Sequence, residues 1–204
     1  MQGGYRYWRN DELMPLEESF SIDGASVRGL RDQPGGARME VEAKLNDHGL
    51  VESFALEWTH LGEGHVARRR VTYRRMNHGV DVTIDGSLER LEVAPDALLF
   101  PLLRVFQGPL IVAVAAAGVD GRTVVIPDLH ALTDPARLLR PTVEVRIAQR
   151  LERAVENGDA MYTYEGRVYD GDARFSVDDA TNALTSYRFP QSAGVVFDCR
   201  RFID

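Results

Sequence analysis

LLFPLLRVFQGPLIVAVAAAGVDGRTVVIP, residues 98–127, is the densest apolar stretch in the chain, and its reading decides the fold. A membrane-spanning helix needs about 20 consecutive apolar residues. Here Pro101, Arg104, Gln107 and the pair Gly108-Pro109 break the run, and the apolar residues after the last break are too few. The stretch therefore reads as buried core. Residues 110–114 and 123–126 are aliphatic or β-branched and flank Asp120-Gly121, a strong hairpin signal. The expectation is a pair of strands near the middle of a sheet, with function built around it.

Outward from this centre, turn signals recur at the spacing of all-β proteins. Towards the N-terminus, residues 16–22 and 25–31 are joined by Asp23-Gly24, and Gln33-Pro34-Gly35-Gly36 closes the second run. Residues 38–46 carry the cleanest pattern: Met39, Val41, Ala43 and Leu45 alternate with Arg38, Glu40, Glu42 and Lys44. Period two means one face buried and one wet. Residues 50–59, with Phe54, Leu56 and Trp58 on one side, and residues 66–75 form two more strands. Asn77-His78-Gly79 and Asp85-Gly86 then turn the chain through Val80, Val82 and Ile84 into residues 87–93.

Towards the C-terminus, residues 128–141 read as a loop with one helical turn started at Thr133 or Asp134. Residues 142–155 are ambiguous. Val143, Ile147, Leu151 and Val155 recur as in a helix, and this periodicity narrowly favours one, although Val143, Val145 and Ile147 also alternate as in a strand. Residues 160–164, 167–169, 173–177, 184–189 and 195–202 read as strands, with Gly, Asp and Asn at the joints. No low-complexity linker divides the chain, so the 204 residues are expected to form one β domain.

The balance of 31 acidic against 24 basic residues, net −7, argues against broad binding to nucleic acid or to an anionic membrane. A single cysteine, Cys199, rules out an internal disulfide framework and fits a reducing compartment. The start MQGGYRYWRNDELMP lacks a charged segment leading into an apolar one, so no secretory signal is read and the cytoplasm is expected.

Candidate chemistry is sparse. His48, His60, His65, His78 and His130 are spaced irregularly, four of them at or beside Gly-rich turns, and no metal or other cofactor is expected. Cys199 reads as a small buried filler. The acidic pairs Asp170-Gly171-Asp172 and Asp178-Asp179 sit where turns belong and read as turn residues rather than as a catalytic pair or a calcium site. Arg68, Arg69, Arg70, Arg74 and Arg75 surround Tyr73. Guanidinium groups so gathered suit a phosphate or a carboxylated headgroup. On a strand, however, Arg68, Arg70 and Arg74 share an outer face opposed by Glu40, Glu42 and Glu57, while Arg69 and Arg75 share the other with Val71 and Tyr73, and a solvated outer face is the favoured reading. Arg104 differs, because it lies inside the most apolar segment. A charge there pairs with a carboxylate or faces a cavity.

The order of features resembles that of a bacterial family named for glycolipid binding. The residues that carry the resemblance are Trp8 with Leu16-Glu17 after it, a meander passing Trp58 and Asp85-Gly86, LLRVF at 102–106, and Pro127-Asp128-Leu129. It continues in Tyr162 and Tyr164, in ARFSVD at 173–178, and in Tyr187 with Pro190. The resemblance covers nearly the full length. It implies a large curved antiparallel sheet of many strands, a half-barrel similar in architecture to bacterial periplasmic lipoprotein carriers, with an apolar concave face for acyl chains. It also moves residues 142–155 from helix to strand.

The resulting expectation is an all-β protein, with at most one or two short helices, that binds an amphipathic lipid or glycolipid without catalysis. Arg104 would orient the head, and Phe106, Trp8, Trp58, Tyr162 and Tyr164 would line the pocket. Two alternatives stay open. One is a small-molecule isomerase or hydrolase using an Asp/His pair in the same cavity. The other is a homodimer or larger homo-oligomer paired through an exposed strand edge.

Overall fold

The computed structural model describes residues 1–62, 65–129, 137–156, 158–166, 173–192 and 194–203. Eight strands come first: β1 (Gln2–Arg9), β2 (Glu12–Asp23), β3 (Ser26–Gln33), β4 (Ala37–Leu45), β5 (Val51–Gly62), β6 (His65–Met76), β7 (Gly79–Ile84) and β8 (Ser87–Leu91). A two-residue strand, β9 (Leu98–Leu99), leads into the helix α1 (Gln107–Ala115) and then β10 (Arg122–Pro127). The chain ends in β11 (Pro141–Glu156), β12 (Asp159–Glu165), β13 (Arg174–Asp178), β14 (Leu184–Ser192) and β15 (Val195–Ile203).

These strands make one sheet in the order β8-β7-β6-β5-β4-β3-β2-β1-β15-β14-β13-β12-β11-β10-β9. The first strand pairs with the last, so two meanders are joined at β1 and β15. Pairing is antiparallel except between β9 and β10, which run parallel. The sheet is curved: β9 touches β5 although ten strands lie between them in the order. Its edges, β8 and β9, do not pair with each other, so the barrel stays open. Among the described residues no helix is long and apolar enough to cross a membrane.

The alternation in the sequence sets the two faces. In β4, Met39, Val41 and Ala43 are buried on the inner face while Arg38, Glu40, Glu42 and Lys44 are exposed on the outer one. Turn chemistry fixes the register. Asp85 and Gly86 both adopt positive φ, 49° and 87°, as a two-residue hairpin turn with the right twist demands.

The central hairpin is a correction. Residues 110–114 belong to α1, not to a strand. Pro109 sits in the first helical turn, where the amide it lacks would have no partner anyway, and the alanines after it are the strongest helix formers. Residues 123–126 are a strand, but β10 lies beside the sheet edge rather than at its middle. What residues 98–114 share with the expectation is burial. Leu98, Leu99, Phe100, Leu103, Phe106, Leu110, Ile111 and Val114 are all at most 7 % exposed, because the segment crosses the inner face and completes the core.

Residues 142–155 lie in strand β11, as the family resemblance implied and against the helical spacing. Val143, Val145 and Ile147 point to the exposed side, and Arg146 and Ala148 to the buried one. Flanking strands β10 and β12 hold this segment extended, and sheet context decides for β-branched residues. The helical turn at Thr133 or Asp134 and the strand at 167–169 lie outside the described residues.

Candidate ligand-binding face

The inner face is mainly apolar, and one polar cluster on it holds the crossing segment in place. On β2, Leu16, Glu18, Phe20 and Ile22 share the inner side, so the strand's alternation carries Glu18 inwards, where it is 2 % exposed. Arg31 faces it from β3. Its Nε donates to Glu18 Oε1 at 2.7 Å, and its Nη2 donates to the same oxygen. Tyr7 OH, from β1, donates to Oε1 as well. The second oxygen, Oε2, accepts the backbone N–H of Arg104 at 2.7 Å, while Arg31 Nη2 also reaches the carbonyl of Leu102 at 2.6 Å. Leu102 takes a positive φ of 70°, a backbone shape unusual for leucine, and the shape is held by contacts on both sides of it. One carboxylate thus binds two strands of the sheet and the segment lying across them.

Burial raises the phenol of Tyr7 well above its ordinary pKa, and the charge of Glu18 raises it further. Burial works against the charge of Arg31, but Glu18 and Tyr7 outweigh that effect, and its pKa stands above the usual arginine value. Cys199, fully buried opposite Tyr7 in the register of β1 and β15, has its thiol pushed up by burial. That describes an inert core filler rather than a nucleophile.

Arg104 is half-buried beside this cluster. Its guanidinium donates to Gln107 Oε1 and, at 3.2 Å, to Tyr187 OH, and it lies 4.6 Å from the centre of the Tyr187 ring and 6.0 Å from that of Tyr7. The backbone, not the guanidinium, carries its bond to Glu18. Gln107 is fully buried, and its Nε2 has no hydrogen-bond partner among the described residues. A buried amide donor left open costs about 1–3 kcal/mol, so this is a place where an acceptor is wanted.

Close approach is built into the sheet below the segment. A Cβ at Gly29 would stand 2.4 Å from Leu103 Cδ1, and one at Gly108 would stand 2.3 Å from the carbonyl oxygen of Asn182. Only glycine lets the segment settle this far down. At the end of the crossing, Arg122 Nη1 donates to the carbonyl of Ala113 at 3.4 Å. Helix α1 itself has no side-chain cap and no charge in its first or last turn.

The expected pocket residues are only partly gathered. Phe106 lies in the crossing segment, and Tyr162, Tyr164 and Trp58 are buried on the inner face, with Trp58 stacked on His60 at 5.8 Å. Trp8 is a correction: it faces outwards, under the guanidinium of Arg200 at 4.9 Å, because Tyr5 and Tyr7 take the inward phase of β1. Tyr164 packs edge-on against Phe175, which stacks on Tyr187, so this side is a continuous aromatic wall. Sequence reasoning missed Glu18, Arg31 and Gln107. The phase of β2 was the available signal, since Glu18 falls between Leu16 and Phe20.

Most of the remaining candidates fall on the surface, while Arg69, its side chain 15 % exposed, lies on the inner side opposite Trp58. Arg68 pairs with Glu57 at 2.7 Å, and Arg69 lies 3.4 Å from Asp85. Asp178 caps its own turn, accepting from Thr181 Oγ1 and backbone N at 2.7 Å each and from the Ala180 N–H at 3.1 Å, and these bonds hold its carboxyl below the ordinary value. Asp170, Asp172, His130 and the side chain of His65 lie outside the described residues. Among the described residues no three His, Cys, Asp or Glu side chains converge as a metal site, and no histidine pairs with a carboxylate.

No protein-family model matches the chain, and no curated protein matches it. Among solved structures, the chain is similar to a DUF1089 family protein from Pseudomonas aeruginosa, with 13% identity over 87% of this chain and 86% of that one. The TM-score is 0.46, and a likeness so distant carries no argument about function.

Proposed function

We propose that this protein binds an amphipathic ligand of lipid or glycolipid type without catalysis, its acyl part lying on the inner face where residues 103–115 now lie. One observation carries the reading: the apolar inner face is completed by a crossing segment rather than by a strand. Polar bonds at residues 102–107 tie the middle of that segment to the sheet, residues 98–100 pair with β10, and Arg122 reaches the Ala113 carbonyl. Apart from the bond to the Ala113 carbonyl, α1 beyond residue 107 relies on packing, as a nine-residue helix without caps must. Packing against apolar surface is the one interaction an acyl chain reproduces. The positive φ angles at Leu102, Gly118 and Gly121 mark the bends about which the segment would swing. The open Nε2 of Gln107, beside Arg104, supplies a donor for a headgroup oxygen.

An enzyme would need an inward histidine and carboxylate together, and among the described residues Glu18 is instead engaged by Arg31 and Tyr7 and the buried Asp128 lies 3.7 Å from Arg137. The test is native mass spectrometry of freshly purified protein, then organic extraction and titration with a fluorescent fatty acid. A bound amphiphile or saturable one-site uptake is expected. A clean apo mass with no saturable uptake would sink the reading.

A further inference from the structure

We infer that the groove at one end of the outer face, around Lys44, Ser53 and Arg74, is a binding site for a phosphate group. It is separate from the inner face and independent of the amphiphile reading.

The residues are set in one row by strand register. Lys44 on β4 stands opposite Ser53 on β5, Ser53 opposite Arg74 on β6, Arg74 opposite Asp81 on β7, and Asp81 opposite Arg90 on β8. Neighbouring strands are about 4.8 Å apart, so the stems of Lys44 and Arg74 flank the Ser53 hydroxyl with room between their heads for one tetrahedral anion. An open groove of about 940 Å³ lies over the row, bounded by Asn46, Glu52, Asn77 and Pro95. A second groove, of about 520 Å³, meets it along residues 74–77 and reaches His78 and Arg90. Together their walls carry four basic side chains, Lys44, Arg74, Arg75 and Arg90, against two acidic ones. In a chain of net charge −7 such a balance runs against the composition.

The rest of the outer face shows what a merely solvated row looks like. Arg28 holds Glu42 at 3.2 Å, Arg38 holds Glu40 at 2.8 Å, and Arg68 holds Glu57 at 2.7 Å. In the Lys44 row, Arg90 takes Asp81 at 3.0 Å, while Lys44 and Arg74 make no ion pair among the described residues. Two cations and a hydroxyl in one row, with Asp81 engaged by Arg90 and Glu52 the groove's other acid, are a donor set that a phosphate's several oxygens accept. The chemistry is shared by a free phosphorylated metabolite and by the headgroup of an anionic lipid, and the test separates these sources.

Lys44 is the only lysine among the 24 basic residues, which makes the test direct. Its rate of modification by an amine-reactive acylating reagent is tracked by peptide mapping, with the Met1 amine as internal reference. Inorganic phosphate is compared with chloride at equal ionic strength, and separately with vesicles of phosphatidylglycerol and of phosphatidylcholine. Saturating phosphate is expected to slow Lys44 at least about tenfold relative to Met1, as mass action requires of an occupied site. Arg74→Gln, an exposed substitution that leaves the fold intact, should abolish the protection. Protection by phosphatidylglycerol vesicles but not by free phosphate would assign the group to a lipid surface. Equal slowing by chloride, or none under any condition, would overturn the proposal.

Discussion

Arg31 and Arg68 each hold a glutamate at 2.7 Å, across hairpin partners 13 and 11 residues away. By distance the two pairs are the same. Their surroundings are opposite, since the Glu18 side chain is 2 % exposed and the Arg68 side chain 65 %. The inner pair lies in low dielectric, gathers Tyr7 and the Arg104 amide around one carboxylate, and ties the crossing segment to the sheet. The outer pair is bathed in water and salt and ties nothing. Geometry alone does not set what an ion pair contributes; what must be left uncompensated when it breaks does.

The strongest way to break this comparison is Glu18→Ala. It leaves Arg31 charged and buried and strips Tyr7 and the Arg104 amide of their acceptor, so denaturant unfolding should show a loss of about 3–5 kcal/mol. A loss as small as that of a surface substitution would mean the cluster is wetter than the burial of Glu18 implies. Next comes the packing beneath the segment. Leu103→Ala should cost about 2–5 kcal/mol as a buried cavity, and Gly29→Ala about 1–3 kcal/mol by overpacking. The two together should cost clearly less than their sum, because the new methyl enters the space that Leu103 vacates. Strict additivity would show that the segment does not rest on β3.

Alkaline titration sharpens the comparison further. Burial raises the phenols of Tyr5, Tyr7 and Tyr73 far above the ordinary value, so each contributes stability that is whole below the unfolded-state pKa, about 10, and is lost as pH rises towards the folded-state values. The loss should run at about 1.4 kcal/mol per pH unit for each of them. Phenolate absorbance from these three should appear together with loss of circular dichroism, and ionisation within an intact fold would refute their burial. The smallest effect belongs to Arg68→Ala, which should leave the denaturation midpoint unmoved.

The outer face was legible because each strand there alternates against water, as residues 38–45 do, and Asp23-Gly24 and Asp85-Gly86 name their own turns. The crossing segment was half legible. Its burial could be read from composition, but its conformation could not, since a helix packed on a sheet and a strand within one present the same apolar run. Pro109 and the alanines of 113 and 115–117 favoured helix, and Asp120-Gly121, which closes a turn before β10, drew the reading to a hairpin instead. Arg104 was picked out by its apolar setting. Glu18 was overlooked, although the phase of β2 carries it inwards, because a glutamate among Glu17, Glu18 and Ser19 reads as surface until strand phase is applied. The partnership with Arg31 and Leu102 is tertiary, and no local pattern encodes it.

The central claim is that an acyl chain takes the place of residues 103–115, and a reversible lock tests it. The Cβ position of residue 29 lies 3.8 Å from Leu103 Cγ, so Gly29→Cys with Leu103→Cys brings two thiols together across the contact, and their oxidation, checked by mass, tethers the segment to β3. Titration of the oxidised and reduced forms with a fluorescent fatty acid should show saturable binding only after reduction, both forms being folded by circular dichroism. Equal binding by the oxidised form would contradict the claim and place any ligand elsewhere on the molecule.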